Sequence, residues 1–375
     1  MAAIFSPGLK VTDQTIVQKD RRLPLEGTVE VEVGQLVTAD TVVARTQLPG
    51  KVFPVNVANQ LGVDAGRLTE FMRKGPGDAV ELDEVVAETG GFFGFFKSDA
   101  RAVVAGTIES VSTVTGQVIY QAHPVPVEID AYINGRVVEV HESEGCVVQA
   151  EATLVQGIFG LGGEVKAELA MAVQRPTDVL TPAHILDEHA GRIVVGGAYV
   201  TLATFRRALE VGVVGLVTGG FDYDEIKELL GYEVGVAITG GEKLGLTLVV
   251  TEGFGEIQMA PATFELLQKH AGRAASINGA TQIRAGVIRP EVVVTHDDVE
   301  APDEVWEAPE PTGVTVGDPV RGIRAPFFGR LGTIASLPVE PVVLASGSKA
   351  RVMEVQFEDG ERAMLPRANV EVIER

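Results

Sequence analysis

Along the first 175 residues apolar and polar positions alternate with period two in short runs, each broken by a glycine turn, a pattern that predicts one strand after another. The same phrase returns three times. It runs first through Gly27-Thr28-Val29, Gly34-Gln35-Leu36-Val37 and Val42-Val43-Ala44 to Gly50-Lys51-Val52. It returns from Gly77-Asp78-Ala79-Val80 through Val85-Val86-Ala87 to Gly106-Thr107-Ile108 and Gly116-Gln117-Val118, and again from Gly135-Arg136-Val137-Val138 to Gly145-Cys146-Val147-Val148. Each glycine falls where a strand must turn sharply, and the flanking alternation leaves one face to bury in a small sandwich.

From 176 to 295 the period changes. Strands are expected at 192–195, 213–217, 234–238, 246–250 and 291–294, with helices at 201–211, 222–230 and 261–270. In the first helix Leu202, Phe205, Ala208 and Leu209 share a face opposite Arg206, Arg207 and Glu210. Gly231 and Gly272 stand just beyond the other two. Alternating strands and helices predict a mostly parallel sheet covered by helices. Residues 296–312, acidic and Pro-bearing, read as a linker, and 313–375 returns to strand and turn. The expected fold class is therefore multidomain and mainly β: a β-rich region over 1–175, an α/β domain over 176–295, the linker, and a small terminal β barrel over 313–375.

Two segments resemble known folds. Gly77-Asp78-Ala79-Val80, Val85-Val86-Ala87 and Gly106-Thr107-Ile108-Glu109-Ser110-Val111 resemble the barrel-sandwich hybrid of biotinyl and lipoyl carriers and their non-carrier relatives, over about 23–121. In a carrier the modified lysine stands at an exposed hairpin tip, typically between methionines. Here the tips read Pro49-Gly50-Lys51 and Gly94-Phe95-Phe96-Lys97 without methionine, so a non-carrier member and no cofactor are expected. The segment Phe328-Gly329-Arg330-Leu331-Gly332-Thr333-Ile334, with the strands around it, resembles a KOW-type, SH3-like barrel.

Composition narrows the function classes. With 375 residues the chain exceeds what one core organises, which agrees with several domains. A net charge of −21 gives a field that repels phosphate backbones and anionic lipids. The single cysteine, Cys146, closes no intrachain disulfide and sits in an apolar run, so a buried structural thiol is expected. The start MAAIFSPGLK lacks the basic and long apolar regions of a secretory signal, and no apolar run approaches the roughly 20 residues that span a bilayer; a cytoplasmic protein without membrane contact is expected.

Candidate chemistry gathers at the small-residue turns that end the α/β strands: Gly196-Gly197, Thr218-Gly219-Gly220, Thr239-Gly240-Gly241 and Thr251-Glu252-Gly253. In a parallel sheet these turns share one edge, where backbone N–H groups can cradle an anion. Asp222, Glu242, Glu252, Arg284 and Arg289 would surround it, although no dinucleotide or nucleotide fingerprint is present. The six histidines are scattered without metal-ligand spacing, so no metal is expected. No nucleophile elbow occurs and no catalytic residue is assigned. Phe92, Phe93, Phe95 and Phe96 form a Gly-bounded apolar loop suited to protein contact. Phe327, Phe328 and Arg330, with Arg321, Arg324, Arg351 and Arg367, offer a second contact face on the terminal barrel. The leading expectation is a non-enzymatic scaffold or adaptor binding a protein partner or a second copy of itself. The alternatives are an α/β domain that binds or transforms a small anion, and an RNA-, ribosome- or transcription-associated factor acting through the terminal barrel, which the net charge disfavours.

Overall fold

The computed structural model describes residues 9–90, 98–231, 238–242, 244–282, 288–296, 314–322, 326–327, 329–338, 340–343 and 349–374. The chain is mainly β, as its sequence led us to expect, and its large sheet is mixed, with parallel strands in part of it rather than throughout. The centre of that sheet is the strand Gly145–Gln156, which pairs antiparallel with Leu9–Arg22, Gly135–His141 and Glu291–Thr295. From Glu291–Thr295 the pairing continues through Ala274–Asn278 to Glu164–Met171. It then turns parallel, through Ile193–Val195 and Gly215–Phe221 to Thr247–Phe254. Phe159–Leu161 joins Thr247–Phe254 antiparallel, and the pairings close on themselves.

The strand expected at 291–294 is present, but antiparallel and bonded to the β-rich half. A division at 175/176 would separate Glu164–Met171 from its ladder partners Ile193–Val195 and Ala274–Asn278. The strand expected at 234–238 falls mostly outside the described residues; Ile238–Thr239 pairs antiparallel with Thr281–Gln282 in a separate ribbon.

The helices form where local signals place them. Thr201 caps Leu202–Val211 by accepting from the Thr204 amide, and Gly212 ends it at φ 87°. Asp222 caps Tyr223–Leu230 by accepting from the amides of Asp224 and Glu225. Pro261 opens Pro261–Lys269, with His270 as its C-cap. The largest core lies between these helices and the parallel strands, around Phe205, Leu216, Val217, Phe221, Val249 and Phe264.

Among the described residues, three satellites surround the sheet. Val52–Asn56, Gln117–Ala122, Gly106–Val111 and Ala79–Val80 form a four-stranded sheet with its own core around Leu68, Ile108, Val118 and Tyr120. Thr28–Val29, Val42–Leu48 and Val125–Asp130 form a three-stranded sheet. Lys166 ties it to the barrel through Asp40 and Asp130 at 2.7 and 2.5 Å, and Arg21 does so by donating to the Asp130 carbonyl at 2.8 Å; within the barrel Arg21 pairs with Glu164 at 2.6 Å and Lys19 with Glu291 at 2.5 Å. Tyr132, at φ 66° and fully buried, lies beneath the Lys19 and Arg21 cations. The third satellite is the terminal unit built on Pro319–Gly322, Leu331–Ser336, Val352–Phe357, Arg362–Pro366 and Val370–Glu374. Its last strand pairs parallel with the start of Leu9–Arg22. No helix among the described residues is long and apolar enough to cross a membrane.

Candidate functional site: a cleft beneath the terminal unit

Three of the four expected turns meet at the strand ends. Gly220 pairs with Tyr199 and with Gly253, and the Gly197 carbonyl lies 2.9 Å from where a side chain on Gly219 would begin. Thr239-Gly240-Gly241 lies elsewhere, against Ala280 and Gly162. The edge is covered from within the chain. A Cβ on Gly220 would meet the Gly255 carbonyl at 1.9 Å, and one on Gly219 the Ile257 carbonyl at 2.3 Å.

The acids named from the sequence have protein partners here. Glu252, 1% exposed, pairs with Arg321, 3% exposed, at 2.5 Å and accepts from the Ala260 amide at 2.9 Å. The Arg321 guanidinium also donates to the Thr251 carbonyl at 3.1 Å. Glu242 accepts from the amides of Gly240 and Gly162, the kind of paired N–H groups an anion would use. Asp222 is the helix cap described above, and Arg289 pairs with Glu371 at 2.6 Å. Thus Arg321 and Glu371, both from the terminal unit, bind groups of the central one.

Of the barrel residues, Phe327 stacks on Phe357 with ring centroids 5.0 Å apart. Arg330 lies over both rings and pairs with Asp359 and Glu361 at 2.5 and 2.8 Å. Its charge, like that of Arg321, is met by carboxylates. Phe92, Phe93, Phe95, Phe96, Arg284, Arg324 and Phe328 lie outside the described residues.

Docking the terminal unit in this way leaves a cleft of about 620 Å3 between it, the first strand and Pro261–Lys269. Val11, Ala260, Leu266, Val320, Leu331 and Phe357 line it, with Asp13, Glu265 and Glu358 as its carboxylates. Glu265 and Glu358 are exposed. Arg321, the cation in the lining, is held by Glu252. The volume lies within the ordinary size of ligand pockets. The sequence did not point to this cleft, because its walls come from three segments brought together only by tertiary pairing.

Behind Asp13 lies a polar cluster. Thr153 Oγ1 stands 2.9 Å from Nε2 of both His270 and His296 and donates to the Asp13 carbonyl at 2.8 Å. Asp13 Oδ1 is 3.0 Å from His270 Nε2, and its other oxygen accepts from Lys269. Hydrogen bonds from Lys269 first and His270 second hold the Asp13 carboxyl down at about 2. Burial, and then the neighbouring His270 and Arg273, lowers the pKa of His296. Cys146 is fully buried as expected, and burial pushes its thiol up to about 11. No family model and no curated protein matches this sequence.

Proposed function

We propose that the protein is a non-enzymatic adaptor that binds, in the cleft beneath its terminal unit, an apolar segment of a partner protein carrying basic residues. The carrying observation is the lining: apolar side chains from three parts of the chain, rimmed by exposed Glu265 and Glu358, with its arginine already neutralised. Burial of apolar groups supplies the affinity, at about 25 cal/mol per Å2 before ordering costs, and the rim selects the sign of the partner's charge. The chain's net charge of −21 adds long-range attraction for a cation and repels an anion. The strand-end carboxylate Glu252 has a structural part in this reading: it fixes the barrel that forms one wall.

Fluorescence anisotropy with two labelled amphipathic peptides, one of Leu and Lys and one of Leu and Glu, tests the reading. The Lys peptide is expected to bind, more weakly in high salt, with loss in Leu266→Glu and weakening in Glu265→Lys/Glu358→Lys. Equal binding of the two peptides, or indifference to these substitutions in folded protein, would remove the reading.

A further inference from the structure

We propose that Asp13, His270 and His296 form a site for one divalent first-row transition ion of the Zn2+ and Co2+ class. One ligand atom from each residue lies within 4.8 Å of the other two. The three come from separate, well-anchored places. Asp13 sits where the first strand breaks register with its partner between Thr12 and Thr15. His270 is the C-cap of Pro261–Lys269. His296 directly follows Glu291–Thr295, and its amide donates to the Glu151 carbonyl at 3.0 Å. Side chains held by strands and a helix end keep their relative positions better than side chains on loops.

The donor set selects the ion. Two imidazole nitrogens and one carboxylate oxygen suit Zn2+, Co2+ or Fe2+, whereas Ca2+ and Mg2+ take shells made of oxygen. Metal bonds of 2.0–2.1 Å put neighbouring ligands of a tetrahedron about 3.4 Å apart. Here Asp13 Oδ1 and His270 Nε2 are 3.0 Å apart, and Thr153 Oγ1 is 2.9 Å from each Nε2 and 3.5 Å from Asp13 Oδ1. Small rotations of the two rings open these edges to the required length. Lys269 occupies one oxygen of Asp13 and leaves the other as a single ligand atom. In the ion-bound state both rings present the Nε2 lone pair and carry their proton on Nδ1, with Thr153 or water completing the shell.

Two features limit the affinity. Nδ1 of His270 is buried without a partner, so the coordinating tautomer lacks the outer acceptor whose loss costs about 10–100-fold. The Lys269 ammonium beside Asp13 opposes a second cation, so Lys269→Met is expected to bind the ion more tightly. The inference stands apart from the cleft reading: of the cleft residues the ion uses Asp13, and it needs neither Leu266 nor Glu265.

The test uses the full chain, stripped with a chelator and titrated with Co2+ and Zn2+ by calorimetry and visible absorption, with imidazole resonances followed by NMR. One ion per chain is expected, with large shifts for His270 and His296 and none for His123, His141, His184 and His189. His296→Ala is expected to lower affinity by at least about 100-fold. If that variant fails to fold, Asp13→Asn at the cleft rim is expected to weaken binding while the protein remains folded. Absence of stoichiometric binding, unchanged binding in folded Asp13→Asn, or shifts confined to the other four rings would overturn the proposal.

Discussion

Replacing Arg321 by Met strands Glu252 in the interior. Both partners are almost fully buried, at 3% and 1% exposure, and the pair is 2.5 Å apart. After the substitution one carboxylate oxygen keeps the Ala260 amide and the other loses its cation. Breaking such a pair from one side costs about 3–5 kcal/mol, because an uncompensated charge remains in low dielectric. The retained amide bond places the expectation near about 3 kcal/mol, roughly a hundredfold in the folding equilibrium. Urea unfolding followed by far-ultraviolet circular dichroism measures the loss. Exchange of the Gly322 amide, which donates to the Arg330 carbonyl at 2.9 Å, reports on the terminal unit itself. The double variant Arg321→Met/Glu252→Gln removes both charges and is expected to recover most of the loss, since replacing a whole buried pair is often close to neutral. A loss under about 1 kcal/mol in Arg321→Met would refute the reasoning, as would a double variant that is no better than the single one.

Other outcomes follow from the same contacts. The depressed Asp13 carboxyl contributes stability that is complete above its ordinary value of 3.8 and is lost as pH falls through about 2, so a carboxyl NMR titration is expected to find a midpoint near 2, moving back up in Lys269→Met. Gly220→Ala drives a methyl into the Gly255 carbonyl and is expected to cost about 1–3 kcal/mol in urea unfolding; a neutral result would mean that the 255–259 segment does not press on the strand end. Cys146, buried with its thiol raised to about 11, is expected to resist a thiol reagent at neutral pH until the protein unfolds; fast modification of the native chain would contradict its placement.

Helix positions were legible because their signals are local: Thr201 and Gly212 bracket one helix, and Asp222 and Gly231 another, within a dozen residues each. The alternation that marked strands was equally local. Strand partners were not legible, because a register such as Val17 opposite Ala150 depends on two runs far apart in the chain. The expected gathering of turns succeeded for Gly197, Gly219, Gly220 and Gly253, and missed for Gly240, whose strand joins an antiparallel ribbon. The arginines of the terminal segment suggested a basic face, yet Arg321 and Arg330 meet carboxylates that lie 69 and 31 positions away, Glu252 before and Glu361 after. The Asp13 and His270 contact spans 257 positions, with no spacing rule to announce it.

The central claim concerns where a partner binds. Amide NMR of the full chain, titrated with the Leu and Lys peptide, tests it directly. Shifts are expected to concentrate at Leu266, Leu331, Gly332 and Phe357, with saturation at one peptide per chain. Shifts centred instead on Gly162, Lys166 and Thr247, which line a smaller pocket elsewhere, or no saturable shifts at all, would contradict it.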